Sequence, residues 1–336
     1  MNTAQRKDYV LGSVVELYIQ TGEPVGSKAV SARLNDICSS ATIRNDMCDL
    51  IERGYLIQPH TSAGRIPSAN GYRYYIEKLM PASTLSNQAR NQILDHLPRF
   101  RGDPETFIAE TGKALAKITG CTAIATTPVA AKATLKRVEV LQMSGTSVLI
   151  AILTSSGLMK SKLCQLDLPI TQQEIQLFVQ VINERFADLP LSRITPAMAQ
   201  TLAVSFGGHT LKYAPLLEQI FDAAQEAVRT NLHLEGQPNL LLYKEFSPSL
   251  VIELFARRES LLPFLNKSDG TAVYLGHELG DSALQNAALV VTDYSLKGDL
   301  KGKLAVLGPM KNDYRRLIPT VEFVAKATAG NLSLYI

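Results

Sequence analysis

Ser39-Ser40-Ala41-Thr42-Ile43-Arg44-Asn45-Asp46-Met47-Cys48-Asp49-Leu50-Ile51-Glu52-Arg53-Gly54 is the stretch on which the fold of this chain turns. Ile43, Met47, Leu50 and Ile51 fall at i, i+4, i+7 and i+8, which is one apolar stripe of a helix. At about 100° per residue the opposite face carries Ala41, Arg44, Asn45, Cys48, Asp49 and Glu52, with Thr42 at its margin. Ser39 or Ser40 can cap the start, and Gly54 is the expected stop.

Working outward, residues 5–20 read as a helix with Val10, Leu11, Val14, Val15 and Tyr18 on one face. Thr21-Gly22-Glu23-Pro24 breaks it, and Ser27 stands at the N-cap of a short second helix through Ala29, Val30 and Leu34. Asn35-Asp36 closes that helix. After Gly54 comes a short strand, Tyr55 to His60, then a tight turn at Ser62-Ala63-Gly64 and a return strand at Arg65-Ile66-Pro67. A closing helix runs from Asn70 to about Met80, with Tyr72, Tyr75, Ile76 and Leu79 turned inward. Three helices, a hairpin and a closing helix make residues 1–80 a winged helix-turn-helix.

Pro81-Ala82-Ser83-Thr84 reads as a linker, and residues 86–120 as helices interrupted at Pro98 and at Gly102-Asp103-Pro104. Strands follow at 121–127, 135–142, 146–154 and 158–166, with hairpin turns at Ser144-Gly145 and Ser155-Ser156-Gly157. Residues 171–187 and 195–230 are helical again. Beyond Gly236-Gln237-Pro238 a helix over 249–265 precedes strands near 271–278, 287–293 and 302–307, with a last helix over 312–329. The class is α+β and multidomain, with a body over 86–170 and 237–336 and a mainly helical subdomain inserted at 171–236.

In a helix-turn-helix the N-terminal half of the second motif helix enters the major groove. Arg44 and Asn45 lie in that half on the solvent side, and both side chains can read bases bidentately, Arg on guanine and Asn on adenine. The amides near Ser39, Ser40 and Thr42 can hold a phosphate. The competing account is a merely solvated surface; the short capped helix before and the hairpin after favour the groove. No acidic residue lies between Glu52 and Glu77, a stretch that holds Arg53, His60, Thr61, Ser62, Arg65 and Arg73. Beside a polyanion each omitted carboxylate removes a repulsion. His60, Thr61, Ser62, Arg65 and Arg73 are therefore taken as DNA-facing. Asp46 argues the other way, unless it pairs with a basic residue inside the head.

Leu217, Ile220, Phe221, Ala224 and Val228 form a helical stripe wide enough to bury against another helix. It serves either a dimer face or an intramolecular core, and its pattern fits both.

The chain has 336 residues, 46% of them hydrophobic and 19% charged, long enough for two or three domains. A net charge of +3 is too small to argue for nucleic acid by itself, and residues 1–80 hold nine Lys/Arg against eight Asp/Glu. Four scattered cysteines form no CxxC pair and fit reduced thiols in a cytoplasm. No apolar run is long enough for a bilayer. The five histidines show no metal-ligand spacing, and no phosphate-loop, nucleophile-elbow or zinc-protease motif is present, so neither an enzyme nor a cofactor is expected.

Two groups of residues carry a resemblance. The first runs from Ser39 to Met47, then Gly54-Tyr55-Leu56, Gln58 to Pro67 and Gly71-Tyr72-Arg73, with Thr21 to Ser27 upstream. The second, weaker, comprises Gly236 with Asn239-Leu240-Leu241, Tyr274-Leu275-Gly276-His277-Glu278, and Gly308-Pro309 with Tyr314. Together they resemble the HrcA family of bacterial heat-inducible transcription repressors, although Met310-Lys311-Asn312 departs from the Thr-Arg-Met wording usual after the proline. The resemblance implies a homodimer that binds an inverted repeat, the CIRCE element, upstream of chaperone operons and releases it on heat shock. It also implies a winged-helix head, a GAF-like body with an inserted dimerising domain, and a GroEL-type chaperonin that keeps the repressor active. The alternative is a winged-helix regulator gated by a small molecule held in the GAF-like body.

Overall fold

The computed structural model describes residues 2–34, 38–60, 63–129, 132–205, 210–297 and 300–334, with the side chains of 199, 200, 203–205, 210 and 211 left aside. It is an α+β protein of several antiparallel sheets. The head opens with α1 (Thr3–Thr21), started by a reciprocal Asn2–Gln5 cap and ended by Gly22 in the left-handed region. Next come α2 (Ser27–Arg33) and α3 (Ser40–Glu52). The cap of α2 is Gly26 rather than Ser27, which is the first helical residue and gives no side-chain cap bond. Its expected end at Asn35-Asp36 lies outside the described residues.

Strands β1 (Leu56–Ile57) and β2 (Ile66–Pro67) pair antiparallel, Leu56 opposite Pro67. Arg65 extends this ribbon by exchanging both backbone hydrogen bonds with Val25 at 2.8 and 2.9 Å. The approach is so close that a β-carbon on Gly64 would sit 2.6 Å from the Val25 carbonyl, so only glycine fits. Helix α4 (Ala69–Tyr74) widens into one π turn over Tyr75–Leu79. Its cap is Ser68, whose hydroxyl accepts the Gly71 N–H at 3.0 Å and donates to the Gly54 carbonyl at 2.6 Å, stitching α4 to the end of α3. Val10, Leu11, Val14, Val15, Ile43, Met47, Leu50, Leu56, Tyr72 and Tyr75 fill the core between these elements.

Exposed residues 81–84 lead to α5 (Asn87–His96) and α6 (Pro104–Thr119). Strand β3 (Thr122–Thr126) follows, then the meander β4 (Leu135–Gln142), β5 (Ser147–Thr154) and β6 (Met159–Gln165). Helices α7 (Gln172–Phe186), α8 (Pro196–Ser205) and α9 (Thr210–Val228) come next. The chain continues through β7 (Leu232–Glu235), α10 (Gln237–Leu240), α11 (Pro248–Ala256) and α12 (Leu262–Lys267). It ends with β8 (Ala272–Leu275), β9 (Ala287–Ser295), β10 (Lys301–Pro309) and α13 (Tyr314–Leu332).

The body sheet has the order β7-β3-β10-β9-β8, every pair antiparallel. Helices α6 and α13 pack on one face. Leu240, Phe246, Leu254, Leu261 and Leu265 fill the other. The expected division joined the strands of 135–166 to the body and left only 171–236 as the insertion. Strand pairing corrects it: among the described residues β4, β5 and β6 pair as strands only with one another, while β7 pairs with β3. The three strands are backed by α7 and α9, so the segment between β3 and β7 is a unit of its own, half sheet and half helix. Asn183 of α7 ties the two halves together, its side-chain oxygen and nitrogen bonding the Val138 N–H at 2.8 Å and carbonyl at 2.9 Å.

Candidate nucleic-acid interface

Helix α3 is divided as its pattern requires. Ile43, Met47 and Leu50 are at most 4% exposed, while Arg44, Asn45 and Cys48 face solvent. Ser39 caps the helix, accepting the Thr42 N–H at 3.2 Å and meeting its hydroxyl at 2.9 Å. Ser39 is exposed; Ser40 and Thr42 are half-buried beside it. The Gly54 left-handed turn (φ 75°) returns the chain toward β1, with the Tyr55 N–H on the Leu50 carbonyl at 2.9 Å.

Two of the three carboxylates of α3, Asp46 and Asp49, are met by cations, while Glu52 at its C-terminal end stays exposed. Asp46, 4% exposed, is gripped from below by Arg6 of α1, Nε to Oδ2 at 2.6 Å and Nη2 to Oδ1 at 3.1 Å. That bidentate bond raises the Arg6 pKa. Asp49 pairs with Lys7 at 2.9 Å and Arg53 at 2.8 Å; the Lys7 hydrogen bond leads the forces that lower its pKa. Both negative charges are thus met by cations, and among the described residues no carboxylate pairs with the exposed Arg44 or Asn45. Arg6 and Lys7 escaped sequence reasoning. The available signal was two adjacent cations on α1 matched to two carboxylates three residues apart on α3.

In the hairpin His60 is exposed, whereas Thr61 and Ser62 lie outside the described residues. Arg65 folds back on the turn, donating from Nη1 to the carbonyls of Ala63 at 3.0 Å and Gly64 at 3.5 Å. Arg73 goes elsewhere. Its guanidinium holds both carboxylate oxygens of Glu278 in the body and the Val273 carbonyl at 2.5 Å. The sequence expectation set Arg73 facing DNA; the structure pairs it with Glu278 and, at 3.5 Å, with Glu77.

The α9 stripe is likewise not a free face. Leu217, Ile220 and Ala224 are at most 2% exposed, buried within the chain against β5 and β6, and Phe221 and Val228 are half-buried with them. Side chains already spent on a subunit's own core offer nothing to a second subunit. The outer face of the same sheet differs. Leu141, Leu149 and Leu163 stand in register across β4, β5 and β6, beside the Leu153–Met159 pair. Leu141, Met159 and Leu163 are 58%, 69% and 67% exposed.

Among the described residues no group of three or more His, Cys, Asp or Glu is gathered as metal ligands. No helix among them is long and apolar enough to cross a membrane.

Residues 105–318 match the family model for the HrcA protein C-terminal domain. A heat-inducible transcription repressor HrcA of Natranaerobius thermophilus is 31% identical over 97% of this chain and 96% of its own. That of Brevibacillus brevis is 30% identical over 98% of each. A hypothetical protein solved at 2.2 Å shares the fold, with a TM-score of 0.63 at 23% identity over 99% of both chains.

Proposed function

The chain belongs to the HrcA family of heat-inducible transcription repressors, and from that premise we propose that it silences heat-shock operons by binding the CIRCE inverted repeat as a homodimer. Residues 1–80 act as a winged-helix head, with α3 in the major groove and the β1–β2 hairpin as the wing over the flanking phosphates. Arg44 and Asn45 read base edges; Ser39, Ser40, Thr42, His60, Thr61, Ser62 and Arg65 hold the backbone. One observation carries this reading: α3 buries its apolar stripe and both central carboxylates are neutralised from behind, while Arg44 and Asn45 stay exposed on its outer edge.

The dimer is assigned to the outer face of the β4–β5–β6 sheet. An apolar, solvent-facing sheet surface favours a second copy, and a twofold axis lets one patch serve both subunits. Twofold symmetry in the protein then matches twofold symmetry in the operator, and two weak heads act as one strong binder. The body carries a GAF-like role in support. Its inner sheet face is filled by Leu240, Phe246, Leu254, Leu261 and Leu265, which weighs against gating by a metabolite held there. A GroEL-type chaperonin keeps the fold competent, and heat withdraws it.

The test is fluorescence anisotropy on a duplex carrying the inverted repeat and on a scrambled duplex, at rising temperature, with and without chaperonin. Preference for the repeat, lost on heating and restored by chaperonin, is the expected result. Equal affinity for both duplexes at every temperature refutes the function.

A further inference from the structure

Three stretches far apart in the chain meet where the head touches the body. They are 71–73 in α4, 273–278 at the end of β8, and 310–315 entering α13. Arg73 donates from Nε to Glu278 Oε1 at 3.2 Å and from Nη2 to the other carboxylate oxygen and to the Val273 carbonyl. Glu278 is itself held in place, because Oε2 accepts the Leu275 N–H at 2.8 Å. Beside the pair, Tyr72 meets Tyr314 edge-on with ring centroids 6.0 Å apart, both buried.

A second line of contact runs along α1. Glu16 accepts from the Tyr75 hydroxyl at 3.2 Å and from Arg315 Nη1 at 3.3 Å. Where α1 ends at Gly22, a β-carbon would come within 2.9 Å of Lys311 Nζ, so a body cation faces the carbonyl end of that helix. Two separate lines of contact on one rigid unit restrain its rotation as well as its position. The exposed tether at 81–84 supplies no such restraint, since a short solvated linker leaves its ends free to reorient.

We propose that Arg73 and Glu278 are positioning residues that fix the head on the body, and so set the half-site spacing the dimer accepts. This rests on the head being the DNA-binding part of a dimer. A symmetric dimer with rigidly seated heads matches one spacing and orientation of half-sites. Heads that swing accept several spacings, each more weakly, because binding must then restrict their motion. The chemistry needs a planar fork on a fixed carboxylate: Arg73 bonds both oxygens of Glu278, an orientation that a point charge such as lysine does not enforce. Arg73 thus acts through geometry and touches no phosphate.

The experiment uses the full-length protein as wild type, Arg73→Met, Glu278→Gln and the double variant. Each is titrated against the inverted repeat, the repeat with its spacer changed by a few base pairs, a single half-site and a scrambled duplex. Glu278→Gln keeps an acceptor for the Leu275 N–H and so guards against mere misfolding in the Arg73 variant. On the native spacing each single variant loses about tenfold and the double variant loses no more than either, the signature of one shared interaction. The gap between native and altered spacers narrows, while single half-site affinity and its salt dependence stay as in wild type. An unchanged preference for the native spacer in both single variants overturns the proposal. So does an Arg73→Met loss on the single half-site with a salt slope shallower by about one, which is the behaviour of a phosphate contact. Wild type binding repeat and scrambled duplex alike would instead sink the DNA reading itself.

Discussion

Helices α3 and α9 carry the same kind of pattern, an apolar stripe with a polar reverse, yet the structure uses them oppositely. In α3 the stripe folds the head and the polar edge is left for work: Ile43 is fully buried while Arg44 and Asn45 face solvent. In α9 the stripe folds the inserted unit, with Ile220 and Ala224 wholly buried under β5 and β6 and Phe221 and Val228 half-buried beside them. An apolar stripe on a helix is first a folding device. What remains exposed after the stripe is satisfied is where binding is to be sought: an arginine and an asparagine on α3, and the far side of the sheet behind α9.

Substitutions can break that contrast, and the largest effects are expected in the two stripes. Ile43→Ala and Ile220→Ala should each cost about 2–5 kcal/mol of stability, read from urea denaturation. An Ile220→Ala variant of full stability that no longer dimerises would restore the discarded interface. On the free edge, Arg44→Ala and Asn45→Ala should each lose about 1–3 kcal/mol on the inverted repeat. Their unfolding midpoints should barely move, and nonspecific binding should change much less. Equal loss on specific and random duplexes would remove them from base reading.

Leu163→Ser on the outer sheet face should leave the folded subunit nearly as stable. Sedimentation should then show dimerisation weakened by about tenfold, which is about 1.4 kcal/mol. A dimer constant equal to wild type would clear that face. The smallest effect is expected at Arg65, whose guanidinium is already bent over the hairpin turn. Arg65→Ala should weaken all duplexes alike and flatten the salt slope by about one phosphate. A slope identical to wild type would leave Arg65 as a turn-forming residue only.

Much of this was legible in the chain because it is local. The α3 stripe, its Ser39 cap and Gly54 stop, and strands such as β4 and β9 are written in spacings of a few residues. Strand β7 was missed: Leu232-His233-Leu234-Glu235 is only four residues of alternation between a long helix and Gly236-Gln237-Pro238. The insertion was misplaced for a different reason. A short continuous run in β3 and an alternating pattern in β4 say that each is a strand, but not that β3 pairs with distant β7 and β10 while β4 pairs with β5. The pairing of Arg73 with Glu278 was out of reach because the two lie 205 positions apart. Charge patterning placed it at the end of a stretch free of carboxylates, four residues before Glu77, with which it pairs at 3.5 Å; only the fold brings up Glu278.

The central claim is that the outer edge of α3 meets DNA, and Cys48 reports on it directly, being an exposed free thiol one turn beyond Arg44. Its alkylation rate can be followed by mass spectrometry with no DNA, with the inverted repeat and with a scrambled duplex at equal concentration. The repeat should protect Cys48 strongly and the scrambled duplex far less. A Cys48 that reacts at one rate in all three samples, while the repeat is demonstrably bound, would place the DNA somewhere other than α3.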